Sequence, residues 1–250
     1  TGWSYEEVLP YFIKSETNQA FNDRYHGQSG PLVVSSHPQL SPITRRYLAA
    51  AQGVGITYNP DFNGERQDGC GLLQRTIAKG ARCSAAKAYL HPARNRPNLT
   101  VISNAQATQL LFDNSRVIGV QYLHLGNVEH AYAAFEVLLS AGAFRSPQLL
   151  ILSGLGPALE LEKLGINVRV DLPEVGKNLQ DHIHARVRCE LIQPLTFSPL
   201  PNEDKIAAAN DYQATKTGPL ASNFLETGAF VKSDPNVTYP DLQLFLFGNL

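Results

Sequence analysis

The sequence predicts a mixed α/β fold, α+β overall, with one large domain or two smaller ones in its 250 residues. Hydrophobic residues make up 43% and charged residues 17% of the chain, so a sizeable core can form. Strand-like and helix-like segments alternate, with turn residues between them. An apolar run, a glycine turn and an apolar helix also follow one another over 137–154. We expect an α/β part at roughly 80–180, flanked by pieces of a sheet-rich part.

The glycine turn and the helix after it predict a βα unit that brings backbone amides to an anion. Residues 137–139 supply a buried strand, and Gly142 allows positive φ or close backbone approach. Ser146 is the predicted N-cap of a helix that starts at Pro147 and ends at Gly154. The N-terminus of such a helix offers free N–H groups and partial positive charge to an anion. The alternative is an ordinary βα unit in the core, which is the commoner structure.

The N-terminal part predicts helices separated by loop-rich stretches. Ser4 caps a helix at 3–15 and forms a capping box with Glu7, while Pro10 predicts a kink or an early end. Residues 52–80 are rich in Gly, Asn and Asp, which predicts turns and irregular backbone. The other predicted elements are a strand at 32–35, a helix from Ser41-Pro42 to about Ala51, and a short helix that Ser84 caps and Pro92 stops.

From residue 99 onward strands become more frequent, and a β-meander precedes the βα unit. Turn residues at 113–115 and 126–127 separate the meander strands. The predicted strands are 100–103, 107–112, 117–123, 131–139, 167–170, 185–191, 229–231 and 242–246. Helices are predicted at 157–164, ended by Gly165, and at 205–215.

Charge and cysteine content exclude several classes of protein. The net charge of −1 lacks the basic excess of a nucleic-acid surface, so no nucleic-acid partner is expected. The three cysteines show no CxxC spacing, so no zinc site is expected, and an odd number of thiols suits a reducing compartment. Asp61 and Asp68 have no partner cluster in the sequence, so no other metal site is expected. No apolar run reaches the roughly 20 residues of a transmembrane helix. We expect a cytoplasmic location, with peripheral association with the inner membrane as an alternative.

Ordered blocks of sequence extend over nearly the whole chain. They are Gly2–Phe12, Gly30–Val34, Asp61–Gly64, Arg82–Ala85, Tyr89-Leu90, Arg96–Val101, the segment at 138–157, Val175–His182 and Gly218–Phe230. In this order they resemble the glucose-methanol-choline (GMC) oxidoreductases, and the segment at 138–157 is similar to the second signature region of that family. Any one block alone is a weak signal, but their order over this length is a strong one. The resemblance is closest to bacterial choline-dehydrogenase-like, FAD-dependent alcohol dehydrogenases.

The resemblance implies an FAD-dependent oxidoreductase that acts on the CH–OH group of donors. A base removes the hydroxyl proton of a primary alcohol, hydride passes to flavin N5, and an aldehyde leaves. The electron acceptor, whether oxygen, a quinone or another compound, is left open. The implied division is an FAD-domain extension helix at 1–25, substrate-domain pieces at 26–79 and 183–250, and the central part of a Rossmann-like FAD-binding domain at 80–182.

Two family features have no match in these residues. The Gly-x-Gly-x-x-Gly turn that holds the ADP pyrophosphate does not occur, and nothing matches the family's catalytic histidine region. The resemblance therefore implies an internal piece of a longer enzyme, with no catalytic residue within this chain. His182 and His184 are interpreted as structural.

The resemblance also implies site residues. The backbone of Ala141 and Gly142 would lie against the adenosine-pyrophosphate part of FAD, with Ser140 and Ser146 as weaker candidates. Ala107 would place backbone groups against the adenine ring. Glu226 would face the substrate cavity and attract a quaternary ammonium group or order the alcohol; a purely structural glutamate is the alternative.

Two other functions stay open at this point. The chain could be a non-catalytic, truncated piece that does not bind FAD tightly, because half of a Rossmann-like unit leaves sheet edges and an apolar face uncovered. It could also belong to an NAD-dependent dehydrogenase, since that class uses the same glycine turn. A yellow purified protein would exclude the nicotinamide alternative.

Overall fold

The computed structural model describes residues 2–193, 195–196 and 201–247. The chain forms two compact units, one from residues 1–99 with 189–250 and the other from residues 100–188. The first unit is therefore discontinuous in sequence, and the second is a single continuous stretch. Mixed helices and strands in both units confirm the predicted fold class.

The elements are numbered in chain order over the described residues. The α-helices are α1 (Tyr5–Ser15), α2 (Pro42–Gly53), α3 (His91–Ala93), α4 (Gly142–Leu152), α5 (Ala158–Lys163) and α6 (Asn202–Thr215). The strands are β1 (Glu16–Asn18), β2 (Leu32–Val34), β3 (Gly69–Leu72), β4 (Ile77–Ala78), β5 (Ala81–Arg82), β6 (Ala105–Asp113), β7 (Arg116–His124), β8 (Asn127–Tyr132), β9 (Leu155–Gly156), β10 (Val170–Asp171), β11 (Leu225–Val231) and β12 (Leu242–Phe247). A π-helical turn, Ala86–Leu90, leads into α3, and a 3₁₀ turn, Pro219–Ala221, precedes β11.

An antiparallel sheet of order β12-β11-β3 organises the first unit. Cys70 of β3 and Ala229 of β11 are fully buried, and Ala51 of α2 joins them in the core. Leu48 of α2 and Val231 of β11 pack around this cluster. The central strand β11 (residues 225–231) thus packs close to α2 (residues 42–53), although the two elements are far apart in sequence.

The helix α1 is built from local signals that the sequence shows directly. The Ser4 side chain accepts a hydrogen bond from the Glu7 amide, and the Glu7 carboxylate accepts one from the Ser4 amide. This capping box confirms the prediction, whereas an early end at Pro10 is wrong because the helix continues to Ser15. Strand β1 follows at once and pairs in parallel with β2.

Replacing Ser4 with alanine should lower the free energy of unfolding by about 1 kcal/mol, because one capping hydrogen bond is lost at an exposed helix end. Chemical denaturation of the variant measures this. Ser84 offers a comparison, since its hydroxyl accepts a hydrogen bond from the Lys87 amide before the π-helical turn. An unchanged stability for Ser4→Ala would contradict a stabilising role of the capping box.

A three-stranded antiparallel meander, β6-β7-β8, forms the sheet of the second unit. The turns at 114–115 and 125–126 confirm the predicted meander. Helix α4 packs on β6, and Leu149 of the helix and Leu110 of the strand are both buried. The Ser153 hydroxyl at the end of α4 accepts a hydrogen bond from the Leu110 amide at 2.9 Å and thereby ties the helix to the sheet.

Several predicted elements differ from the structure. Residues 100–103, 135–139 and 185–191 contain no strand. Conversely, β3 lies inside the stretch predicted as irregular; it becomes a strand because β11 pairs with it across the sheet. Pro92 also fails to stop its helix, which ends at Ala93.

The start of α4 is a further difference. The helix begins at Gly142, so Ser146 lies inside it and is not the N-cap. Pro147 is then the sixth helical residue and cannot donate to the carbonyl of Ala143. The predicted ends are correct: Gly154 after α4 and Gly165 after α5 both have positive φ. In the described parts of the chain, no helix is long and apolar enough to cross a bilayer.

Candidate functional site

The predicted cofactor segment is an open surface at the start of α4. Ser140, Ala141 and Gly142 are all exposed. Gly142 has φ +87°, which favours glycine, and a Cβ added there would meet no atom within 4 Å. No side chain caps the first turn of α4, so its amide groups are not taken by a capping residue. This geometry leaves room for a nucleotide to approach the backbone.

Ser146 holds this segment in place. Its hydroxyl accepts a hydrogen bond from the Ala141 amide at 3.1 Å, which fixes the backbone entering α4. Although the helix starts earlier than predicted, Ser146 still bonds to the chain beside Gly142. A direct contact between Ser146 and the cofactor stays a prediction.

Ala107 lies in β6, an edge strand of the meander. It pairs with Tyr122 of β7, and the register shifts between Ala107 and Gln109, which marks a bulge. Ala107 itself is exposed. An exposed residue beside a bulge on an edge strand suits the backbone contacts with adenine that the resemblance implies, and this contact also stays a prediction.

Glu226 is a buried carboxylate at the start of β11, with 8% of its surface exposed. Its Oε2 atom accepts hydrogen bonds from the Ser41 amide at 2.8 Å, the Ser41 hydroxyl at 2.9 Å and the Thr44 hydroxyl at 2.6 Å. Ser41 is the N-cap residue of α2, yet its side chain accepts no capping hydrogen bond from a backbone amide of the helix and instead contacts the Thr44 hydroxyl at 2.9 Å. The carboxylate from β11 therefore caps α2, 185 residues away in sequence.

The charge of Glu226 is stabilised by these contacts. Burial alone would raise the pKa of the carboxyl, but the hydrogen bonds from Thr44 and Ser41 outweigh burial and lower its pKa below the ordinary 4.5. The carboxylate is therefore ionised at neutral pH. Its position at the N-terminus of α2 adds a favourable interaction with the helix dipole.

A cavity of about 500 Å³ lies beside Glu226 in the first unit. Phe224 lines it with a backbone φ of +60°, an unusual conformation for an aromatic residue. The exposed Asp211 also reaches the wall. The remaining lining residues include Pro38–Thr44, Arg75, Leu195, Thr196, Thr217–Pro219, Ala221, Ser222 and Leu246.

Two further titratable groups lie near this wall. Arg75 is buried and donates from Nη1 to the carbonyl of Ala221 at 2.7 Å, while its Nε has no partner among the described residues. Burial lowers the pKa of Arg75, and the charge of Glu226 opposes this. Burial and the positive charge of Arg75 lower the pKa of His37, which is therefore neutral at pH 7. Among the described residues named here, Arg75 is thus the cationic neighbour of Glu226.

Sequence reasoning did not identify Ser41, Thr44, Arg75 or His37 as parts of this site. Ser41 carried a signal, since a serine before proline predicts a helix cap, but its actual partner lies in β11. No local pattern points across that separation. His182 and His184 are both exposed.

Comparisons with known proteins identify the family. The sequence profile of the GMC oxidoreductases matches residues 1–184. Mitochondrial choline dehydrogenase of Homo sapiens is 42% identical over 243 residues, which cover 97% of this chain and 41% of that protein. Oxygen-dependent choline dehydrogenase of Brucella ovis is 38% identical, with 97% and 44% covered. The chain belongs to the GMC oxidoreductase family and spans about two-fifths of the length of these relatives.

Solved structures agree with this assignment. An FAD-dependent oxidoreductase from Chaetomium thermophilum superposes with a TM-score of 0.81 at 27% identity, covering 92% of this chain and 43% of that one. A formate oxidase superposes with a TM-score of 0.82 at 25% identity, covering 99% and 49%. These matches confirm the predicted resemblance and the fold.

Proposed function

We propose that this chain is part of an FAD-dependent oxidoreductase that oxidises the CH–OH group of an alcohol. The observation that carries the proposal is the 42% identity to a choline dehydrogenase over 97% of the chain. Alignment over nearly every residue argues against a nucleotide-binding unit of unrelated function. It also favours FAD over a nicotinamide cofactor.

In this proposal the open segment Ser140-Ala141-Gly142 and the edge-strand residue Ala107 hold part of the FAD. The exposed backbone at Gly142 and the uncapped first turn of α4 fit a pyrophosphate, because small residues admit it and amides can donate to it. FAD, when bound, supplies the acceptor for the hydride of the alcohol. The chain's own contribution is to bind and orient the cofactor.

The substrate proposed is a primary alcohol that carries a cationic group. Glu226 is ionised and lines the cavity, and all hydrogen bonds from described residues go to its Oε2 atom. The other oxygen, Oε1, is then the atom that meets the cation. Phe224 on the same wall offers an aromatic face for cation–π attraction. Arg75 weakens this attraction, so the cavity is not strongly anionic.

The domain roles and the location also belong to the proposal. Residues 80–182 are proposed as part of the FAD domain, of which 100–182 lie in the second compact unit and 80–99 in the first. The stretches 26–79 and 183–250 are proposed as substrate-domain pieces, and 1–25 as an extension of the FAD domain. The described cysteines, Cys70, Cys83 and Cys189, are free thiols, which supports a reducing, cytoplasmic location.

Replacing Ala141 with leucine should weaken FAD binding at least tenfold, about 1.4 kcal/mol, because the added side chain fills the space of the cofactor. Ala141 has ordinary negative φ, so the backbone is not strained by the change. Ala131, exposed in β8, provides the matched control Ala131→Leu. FAD affinity is measured by flavin fluorescence on the protein that carries this chain.

The first measurement is the absorption spectrum of the purified protein after incubation with FAD and desalting. A retained flavin spectrum that only Ala141→Leu diminishes supports the proposal. A colourless protein that FAD does not reconstitute contradicts the FAD assignment and favours the non-catalytic alternative. Equal losses in both leucine variants would contradict the placement of FAD at Ala141.

A further inference from the structure

A buried histidine in the first unit lies between two carboxylates from distant parts of the chain. His26 is 5% exposed. Its Nδ1 atom is 3.2 Å from Oε2 of Glu16 in β1, and its Nε2 atom is 3.0 Å from Oδ2 of Asp61. Both carboxylate side chains are themselves largely buried, at 17% and 13% exposure.

The side-chain amide of Asn18 constrains which ring nitrogens of His26 carry a proton. Its Oδ1 atom accepts hydrogen bonds from the amides of Ala20 and Phe21, both at 3.0 Å, which fixes the side-chain orientation. Its Nδ2 atom then faces three acceptors, Oε1 of Glu16 at 3.0 Å, Oε1 of Gln74 at 3.1 Å and Nδ1 of His26 at 3.0 Å. An amide nitrogen has only two hydrogens, so one of the three goes without.

Two assignments are possible, and each leaves one close contact without a hydrogen bond. If Asn18 donated to His26, the bare Nδ1 would face the Glu16 carboxylate at 3.2 Å, with an acceptor against an acceptor. If Asn18 donates to Glu16 and Gln74, then Nδ1 carries its own hydrogen and donates to Glu16. The Nε2 atom likewise donates to Asp61. In this assignment the contact that lacks a hydrogen bond is the 3.0 Å approach of Asn18 Nδ2 to His26 Nδ1, whereas both ring nitrogens donate to carboxylates. Hydrogen bonds to charged groups are about twice as strong as neutral ones, so the doubly protonated ring is the better assignment.

We propose that His26 is a proton-dependent clamp, in which the imidazolium ties Glu16 at the end of α1 to the 59–64 loop through Asp61 and releases that loop when it loses its proton. The proposal does not depend on the proposed function. It assigns a regulatory role to a cluster outside the candidate cofactor and substrate sites.

The surroundings of His26 favour the charged form. Asp23 adds a third carboxylate, and one of its oxygens lies within 4.8 Å of a ring nitrogen of His26 and of a carboxylate oxygen of Asp61. The Phe21 ring lies 5.3 Å from the imidazole, and Asn18 and Gln74 contribute neutral amides. Burial lowers the pKa of His26, but the hydrogen bonds and charges of Asp61 and Glu16 outweigh it and raise the pKa above 6.5.

The sign of the pH dependence follows. Because the folded-state pKa is raised, the clamp's contribution to stability is fully present below pH 6.5 and is lost as the pH rises through the folded value. The same two carboxylates accept hydrogen bonds from the Gly27 amide (Glu16) and the Asn63 amide (Asp61), both at 3.0 Å. Loss of the proton from His26 should therefore weaken the structure locally, at these two amides.

The cluster around His26 lies beside a second cavity and is connected through Phe62 to the strand that carries Glu226. Glu16, His26, Phe62 and Asn63 all line a second cavity of about 440 Å³ under α1. Phe62, next to Asp61, packs edge-on against Phe230 of β11 with ring centroids 5.0 Å apart. Movement of the 59–64 loop would therefore be felt by the strand that carries Glu226.

Nitrogen-15 NMR of the histidine rings in the intact protein tests the proposal. The His26 signals are assigned among the seven histidines by their loss in His26→Gln. We expect both ring nitrogens to be protonated at pH 6 and the titration midpoint to lie above 6.5. Over the same pH range, the protection of the Gly27 and Asn63 amides against hydrogen exchange should fall at least tenfold beyond the intrinsic change in exchange rate.

Matched variants separate the clamp from general effects of charge. Asp61→Asn should lower the proton affinity of His26 about tenfold, whereas Asp68→Asn, an exposed carboxylate nearby in sequence, should leave it unchanged. Glu16→Gln is the second variant if Asp61→Asn does not fold. A bare Nδ1 at pH 6, a midpoint below 6.5, or equal effects of Asp61→Asn and Asp68→Asn would overturn the proposal. So would stoichiometric binding of Zn²⁺ at His26 under neutral conditions.

Discussion

Replacing Glu226 with alanine is expected to lower the free energy of unfolding by about 3 kcal/mol or more. The variant removes three hydrogen bonds to a buried carboxylate and leaves the N-terminus of α2 without a cap. Thr44→Val removes one donor but keeps the charge buried, and should cost about 2 kcal/mol. Urea denaturation of both variants against the wild type measures these losses.

The stability that Glu226 contributes also depends on pH in a defined direction. Since its pKa is lowered in the folded protein, the contribution is present above pH 4.5 and is lost as the pH falls through the folded value. The difference between wild type and Glu226→Ala should therefore shrink in acid. A difference that is constant from pH 7 to pH 3 would contradict an ionised, hydrogen-bonded Glu226.

Kinetics separate this structural role from substrate binding. Glu226→Gln keeps the side-chain shape, and Asp211→Asn neutralises a second carboxylate on the same cavity wall. If Glu226 binds the cationic group, Glu226→Gln should raise KM for a cationic alcohol more than for a neutral one, and Asp211→Asn should not. Unchanged KM and kcat in Glu226→Gln would contradict a role in substrate binding and leave the capping of α2 as the role of Glu226.

Gly27→Ala is expected to destabilise the protein by about 3 kcal/mol or more. An added Cβ would collide with the carbonyl oxygen of Ile13 and lie 2.5 Å from that of Glu16. Both obstacles are backbone, so they cannot move away as a flexible side chain would. The chain at Gly27 is also held on both sides, because its carbonyl accepts a hydrogen bond from the Asn18 amide at 2.8 Å.

The control for this variant is Gly53→Ala. Gly53 is the last residue of α2, its φ is not positive, and nothing lies within 4 Å of an added Cβ. Alanine there should be neutral or stabilise the fold by up to about 1 kcal/mol. Thermal unfolding compares the two variants, and a Gly27→Ala protein as stable as Gly53→Ala would refute the close packing of α1 on the 26–30 segment.

Features that depend on residues close in sequence could be predicted, whereas contacts between distant segments of the chain could not. The capping box of Ser4 and Glu7 and the turns of the meander depend on residues a few positions apart, and both were predicted correctly. The strand β3 was missed because Gly-Cys-Gly-Leu contains two glycines, which are depleted in strands, and because its partner strand β11 is distant in sequence. The start of α4 was misplaced because Ser146 and Pro147 resemble a helix start, while the chain already turns at Gly142.

The candidate sites show the same limit. Ala141 and Gly142 were named because small residues follow an apolar run, and the structure finds their backbone exposed. The partners of Glu226 could not be predicted, since Ser41 and Thr44 are more than 180 residues away. The carboxylates around His26 come from separate segments, and only folding brings them together.

The order β12-β11-β3 constrains how the protein is made. The Thr227 hydroxyl donates to the carbonyl of Gly71, 156 residues earlier, and the whole second unit is synthesised between the two. At a translation rate of about 5–20 residues per second, β3 leaves the ribosome on the order of 10–30 seconds before its partner strand. Residues 100–188, with their contacts close in sequence, can fold during that interval, while the first 99 residues wait with an unpaired sheet edge. Nascent chains of this protein are therefore most exposed to chaperones, and to aggregation, just before β11 emerges.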